Sequence, residues 1–244
     1  MIMENLSLLI YASMFYIISL SFLYFSKDRL NNSENEIYKY LLIVNLISLI
    51  FHVCCNTVSI YSEQLPIIFV NIVLKLFLIS FIVFINLLLS YLLLFFFKNI
   101  KKIYFIVLIV FILELFGIIL LPIHLYSDVV NKVYYSYGMS VNFTYLITSV
   151  TSMIMFIMIV FAKNKIQRKK IIPLFIYMVF GIFSMIMQIN HPEFVISDCV
   201  ETFLCCIMYF TIENPDIKMI EQLNIAKEQA DKANRAKTDF LSSM

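Results

Sequence analysis

The chain has 244 residues, of which 62% are hydrophobic and 14% charged, with a net charge of +2. A soluble domain of this length carries roughly 25% charge, so the polar side chains are too few to coat a water-soluble globule and lipid must cover much of the surface. The net charge says little by itself, and no nucleic-acid partner is expected; how the charges are distributed along the chain says more.

Residues 1–5 lack the basic stretch of a secretory signal, and the first apolar run is long enough to span. A bilayer core of about 30 Å needs about 20 apolar residues per helix. Seven runs meet that length within a few residues: 6–25, 41–60, 68–97, 103–121, 141–162, 171–189 and 195–212. The third is overlong, starts near Pro66, and is expected to tilt or to extend beyond the lipid. No run shows the ten-residue alternation of a membrane barrel. The expected fold is therefore all-α: a seven-helix transmembrane bundle over 1–212, then a cytoplasmic helical segment over 213–244.

Orientation follows from lysine and arginine. Lys27, Arg29 and Lys39 follow the first span, Lys98, Lys101 and Lys102 the third, and Lys163, Lys165, Arg168, Lys169 and Lys170 the fifth. The alternate connections, near 61–67, 122–140 and 190–194, hold only Lys132. The basic loops are thus expected in the cytoplasm, with the N-terminus outside and the C-terminus inside. The longest outer loop reads Pro122-Ile-His-Leu-Tyr and then Tyr134-Tyr-Ser-Tyr137-Gly138. Its tyrosines suit either an interfacial belt or a lid contacting a ligand, and Gly138 permits a turn with positive φ.

Ionisable residues inside spans cost about 3 kcal/mol or more and are functional candidates by default. At 1.5 Å per residue, Glu114 and Lys75 lie about 10 Å below the outer end of their helices, His52 about 12 Å and Glu201 about 9 Å. Asp198 sits one turn above Glu201 on the same face. The five form a set at similar depth on four helices. Two readings compete: structural pairing, with Lys75 and Glu114 neutralising each other, or a ligand pocket opening outward above these groups. Asn56, Asn71 and Gln188 could join either arrangement, whereas Asn86 reads as interhelical glue. The cysteines Cys54, Cys55, Cys199, Cys205 and Cys206 all fall in apolar runs and read as small buried hydrophobes. A metal site with His52 is the weaker alternative, since no metal-ligand spacing repeats. No metal and no cofactor are assigned to these residues.

After Ile212 the character changes. Glu213-Asn-Pro215-Asp marks a break, with Pro215 suited to a helix start. Met219, Leu223, Ala226, Ala230, Ala233, Lys237, Phe240 and Met244 are spaced alternately by four and three. This is a heptad seam with one polar intruder, Lys237. It reads as a parallel dimer helix continuing the seventh span, or as a single amphipathic helix that dimerises weakly.

The segment Ala230-Asp-Lys-Ala-Asn234-Arg-Ala-Lys237-Thr-Asp-Phe240-Leu241-Ser-Ser-Met244 resembles the start of the dimerisation helix of bacterial sensor histidine kinases. There the run Asn-x-Ala-Lys-[Ser/Thr]-x-Phe-Leu-x-x-Met is followed by Ser-His-Glu, whose histidine accepts phosphate. The match covers about 15 residues. The first 212 residues are also similar in composition to seven-helix sensing regions of some of these kinases. The resemblance implies a two-component sensor in a bacterial plasma membrane, a homodimer, an unidentified signal ligand and a response regulator downstream. The match runs to Met244, where the sequence ends and Ser-His-Glu would begin, so the phospho-accepting histidine of the pattern is not among these residues. His52, His124 and His191 all lie in or near the outer half, and ATP and magnesium would belong to a kinase domain outside these residues. Alternative readings are the same sensor on another output domain, such as a cyclase, or a small membrane transporter. Transporters typically show repeats and Gly/Pro-broken helices, and only Gly117 and Gly181 fall within spans. A retinal photoreceptor needs a lysine in the last span, and 195–212 has none.

Overall fold

The computed structural model describes residues 2–26, 33–97, 100–128, 130, 133–162, 168–211 and 215–243. Lys27, Arg29, Lys98, Lys132, Lys163, Lys165, Glu213 and Met244, which entered the expectations above, lie outside them. Among the described residues eight α-helices follow in order: α1 (Ile2–Phe25), α2 (Ser33–Ile60), α3 (Ile67–Leu93), α4 (Ile100–Leu120), α5 (Met139–Ala162), α6 (Arg168–Asn190), α7 (Ser197–Thr211) and α8 (Pro215–Ser243). A 3₁₀ turn, Ser62–Gln64, precedes α3.

The all-α expectation describes the fold, with one addition. The tyrosine-rich loop between α4 and α5 holds an antiparallel hairpin, β1 (His124–Asp128) and β2 (Val133–Tyr137), in the register His124↔Tyr137 to Asp128↔Val133. Tyr126 stacks on Tyr135 across the strands, with centroids 4.8 Å apart, the kind of cross-strand aromatic pair that stabilises a short ribbon. Gly138 has φ +119°, as its place in the turn anticipated, and a Cβ there would stand 3.0 Å from the Pro122 carbonyl oxygen.

Pro66 caps α3 in an extended conformation, and the next residue begins the helix. The overlong third run ends as helix at Leu93. The chain then tightens, with Phe95 N–H donating to Leu92 O and Phe96 N–H to Leu93 O, at 3.2 and 3.0 Å. Among the described residues six helices, α1 to α6, are long and apolar enough to cross a membrane. The seventh run is shorter as a helix than its sequence suggested. It begins at Ser197 and has 15 residues, about 22 Å at 1.5 Å per residue.

Helices α1 to α7 pack as a closed ring in chain order, with α7 returning against α1, while α2 also touches α7 and α3 also touches α5 across the interior. Two main apolar cores fill it, with a small third cluster of Leu93, Ile103 and Val107 between α3 and α4. The larger, which includes Tyr38, Leu41, Phe84 and Tyr91, joins α1, α2, α3, α5, α6 and α7 toward the basic end. The smaller, built on Val70, Leu74, Ile118 and Val141, lies toward the hairpin end. At the basic end Lys170 on α6 binds Glu34 on α2 at 2.5 Å. The outward faces stay apolar: Phe15, Phe22, Phe116 and Phe161 are more than 60% exposed. Such a surface is fit for hydrocarbon, and the architecture is that of a multi-pass membrane protein.

Candidate functional site

The α2–α7 interface carries a buried polar network in the hairpin half of the ring. On α2, Asn45, Ser48 and His52 follow at i, i+3 and i+7, so one face presents all three. On α7, Asp198, Glu201 and Thr202 follow at i, i+3 and i+4. His52 Nδ1 lies 2.7 Å from Asp198 Oδ2, and the Ser48 hydroxyl donates to Asp198 Oδ1 at 3.2 Å. Asn45 Nδ2 donates to Glu201 Oε2 at 3.2 Å, and Thr202 donates to Asn45 Oδ1 at 2.8 Å. Ser80 on α3 extends the set, its hydroxyl 3.2 Å from that of Ser48. Toward the basic end, Tyr38 donates to the Cys205 carbonyl at 2.8 Å, a further tie between the same two helices.

The network is dry. Asp198, Glu201, Asn45 and Ser48 are fully buried and His52 is 3% exposed. Burying an isolated carboxylate in so apolar a setting is prohibitive unless it is paired and hydrogen-bonded. His52 and Ser48 do this for Asp198. Glu201 is half-satisfied: Oε1 has no hydrogen-bond partner among the described residues. The His52 ring is held from the other side by Phe77, with centroids 5.1 Å apart.

Of the five ionisable residues singled out from sequence, three converge: His52, Asp198 and Glu201. Glu114 and Lys75 do not join them, nor each other. Glu114 accepts from Asn86 Nδ2 at 2.5 Å, across α3 and α4. Asn86 is thus the interhelical bond that its type suggested. Lys75 donates to the Ile119 carbonyl at 2.6 Å, near the end of α4. A lysine stem reaches several ångströms along its helix, which lets Lys75 meet a carbonyl near the end of α4 rather than a carboxylate at its own depth. Asn45, Ser48, Ser80 and Thr202 were missed. Their spacing toward His52 and Asp198 was legible, but neutral polar residues are common in spans and raise no alarm by themselves.

Cys55 and Cys205 are buried, the first donating weakly to the Val73 carbonyl at 3.6 Å, while Cys54 is exposed. Among the described residues no three His, Cys, Asp or Glu side chains converge as a metal site. The arrangement ties α2 to α7 through buried charged and polar side chains, an electrostatic latch between two helices.

Helix α8 begins at Pro215, at the break expected there. Met219, Leu223, Ala226, Ala230 and Ala233 are all exposed, as are the flanking faces, so the seam has no partner within the described chain. Phe240 lies within the helix. One exposed i,i+4 pair, Glu228 with Lys232 at 3.1 Å, supports it locally. No protein-family description matches the chain, and no curated protein is significantly similar to it.

Proposed function

We propose that the chain is the membrane sensor region of a two-component histidine kinase, with α7 as its moving part. The observation that carries this reading is the placement of the latch. The buried groups Asp198, Glu201 and Thr202 sit on α7, and α7 is the helix that leads, across residues 212–214, to the α8 segment with the kinase-like run Asn234-Arg-Ala-Lys237-Thr-Asp-Phe240-Leu241. A signal that favours one arrangement of α7 against α2 shifts a two-state equilibrium by its differential affinity, and α8 delivers the shift.

On this reading α7 is a seventh span. It closes the ring, its contacts with α2 run from Asp198 to Cys205, and Phe203 and Phe210 face outward. The hairpin end faces outside and the basic end the cytoplasm of a bacterial cell, by the lysine and arginine distribution. Two copies pair through the α8 seam in parallel, and the output is ATP-dependent phosphorylation of a histidine beyond this segment, passed to a response regulator.

The test is a helix-phase series. A kinase core joined in frame after Met244 is assayed for autophosphorylation in membranes, with one to seven alanines inserted after Asp216. Each inserted residue turns α8 by about 100°, since the helix has 3.6 residues per turn. The reading predicts output that rises and falls with insert length and recovers near four and seven. Output indifferent to insert length, or absent throughout, overturns it.

A further inference from the structure

The other face of α7 borders a cavity of about 410 Å³. It lies between α3, α5, α6 and α7, and α5 and α6 touch each other only sparingly there. Val200 and Ser197 form its α7 wall, whereas Asp198 and Glu201 face α2. None of the five ionisable residues singled out from sequence lines it, and no lining residue is charged. The deep wall is buried, with Ile85, Tyr177 and Met178 each under 10% exposed, while Met153, Phe156 and Ile182 at the rim are 66%, 48% and 58% exposed on the apolar outer surface. The mouth thus opens sideways between α5 and α6, into what would be hydrocarbon.

Two features point to an occupant. Ser184 lines the cavity at 3% exposure, and its hydroxyl has no hydrogen-bond partner among the described residues. Neighbouring hydroxyls on α5 are satisfied: Thr148 and Ser149 both donate to the Tyr145 carbonyl. An orphaned buried hydroxyl is costly. Gly181, one turn earlier on the same face, has nothing within 4 Å of where a Cβ would stand, so the helix keeps open space there despite the cost of a glycine in its interior.

We propose that this cavity binds a neutral single-chain amphiphile that enters from the bilayer, its chain among Met153, Met178 and Met185 and its hydroxyl or carbonyl oxygen on Ser184. The volume suits a small ligand: at about 30 Å³ for each water-sized group, it holds at least roughly a dozen non-hydrogen atoms. A charged head is disfavoured, because no lining group would compensate it. Methionines adapt to a flexible chain without a fixed shape. Occupancy would press on Val200, and so on the helix that carries the latch.

Binding is read by labelling rather than by phosphorylation, so the inference stands or falls apart from the kinase reading. The full 244-residue chain in phosphatidylcholine nanodiscs is photolabelled with a diazirine-bearing decanol, and the adducts are mapped by mass spectrometry. Saturable labelling of α5 and α6 around Met153 and Met185 is expected, with competition by decanol at least tenfold stronger than by decanoate or decyltrimethylammonium. Gly181→Leu should abolish the saturable component. Ser184→Ala should weaken it about three- to tenfold, the value of one hydrogen bond, and keeps the test open if the leucine variant fails to fold. Labelling that never saturates means that bilayer lipid fills the cavity, and overturns the proposal. Equal competition by a charged analogue, or labelling unchanged in both variants, overturns it as well.

Discussion

Replacing His52 by leucine strips Asp198 of its closest partner and leaves its carboxylate, among the described residues, the Ser48 hydroxyl 3.2 Å away. Two scales bear on the cost. Interhelical hydrogen bonds in membranes average about 0.6 kcal/mol and reach about 1.7. Removing one partner of a buried charge pair costs roughly 3–5 kcal/mol. Asp198 is fully buried, and the ring walls it off from solvent, so the larger scale governs. At roughly 2–4 °C per kcal/mol for a chain of this size, the unfolding midpoint should fall by about 10 °C. Buried Cys55 and Cys205 supply the assay, since a thiol-reactive dye reports their exposure on unfolding in detergent. His52→Leu combined with Asp198→Leu removes both members and should recover most of the loss. A single variant melting with the wild type, or a double variant as poor as the sum of the singles, refutes the latch.

The structure makes further predictions. Gly181→Ala meets open space and should raise stability by about 0.5–1 kcal/mol, whereas a Cβ at Gly117 would strike the Phe143 ring between α4 and α5; Gly117→Ala should lower the midpoint in the same dye assay. Asn86→Leu leaves Glu114 without its partner and should destabilise far more than Lys75→Met, which loses one bond to the Ile119 carbonyl; equal losses contradict the separation of the two groups. In a background without native cysteines, Ser127→Cys should react with an impermeant thiol reagent from outside the cell and Ser26→Cys only after the membrane is opened, and the reverse result inverts the topology. Cysteines at 223, 226, 230 and 233 should cross-link between copies better than at 224, 228 and 232; a flat profile removes the α8 dimer.

How much of this was legible in the sequence differs by element. The first six helices were, because each carries its own signal: some 20 apolar residues between polar breaks. The hairpin was not. Its strands have five residues each, and aromatic alternation so short reads equally as an interfacial belt. Helix α7 starts later than its apolar run because Val195 and Ile196 serve as the approach to the helix, with Phe194 N–H bonded to the His191 carbonyl and Cys199 N–H to the Ile196 carbonyl. Within the site, depth along a helix brought His52, Asp198 and Glu201 together correctly, but depth says nothing about rotation. Rotation is what sends Glu114 to Asn86, and what turns Val200 toward the cavity while Glu201 faces Asn45.

The central claim is that the α2–α7 latch sets the state delivered to α8, and Asp198→Asn tests it most directly. The change keeps the side chain's volume and its capacity to accept from Ser48, and removes the charge facing His52. With a kinase core joined after Met244 and nanodiscs matched for folded protein, basal autophosphorylation should shift at least threefold, and His52→Asn should shift it in the same direction. Output within error of wild type for both variants, with both folded, would contradict the claim and leave the network as packing alone.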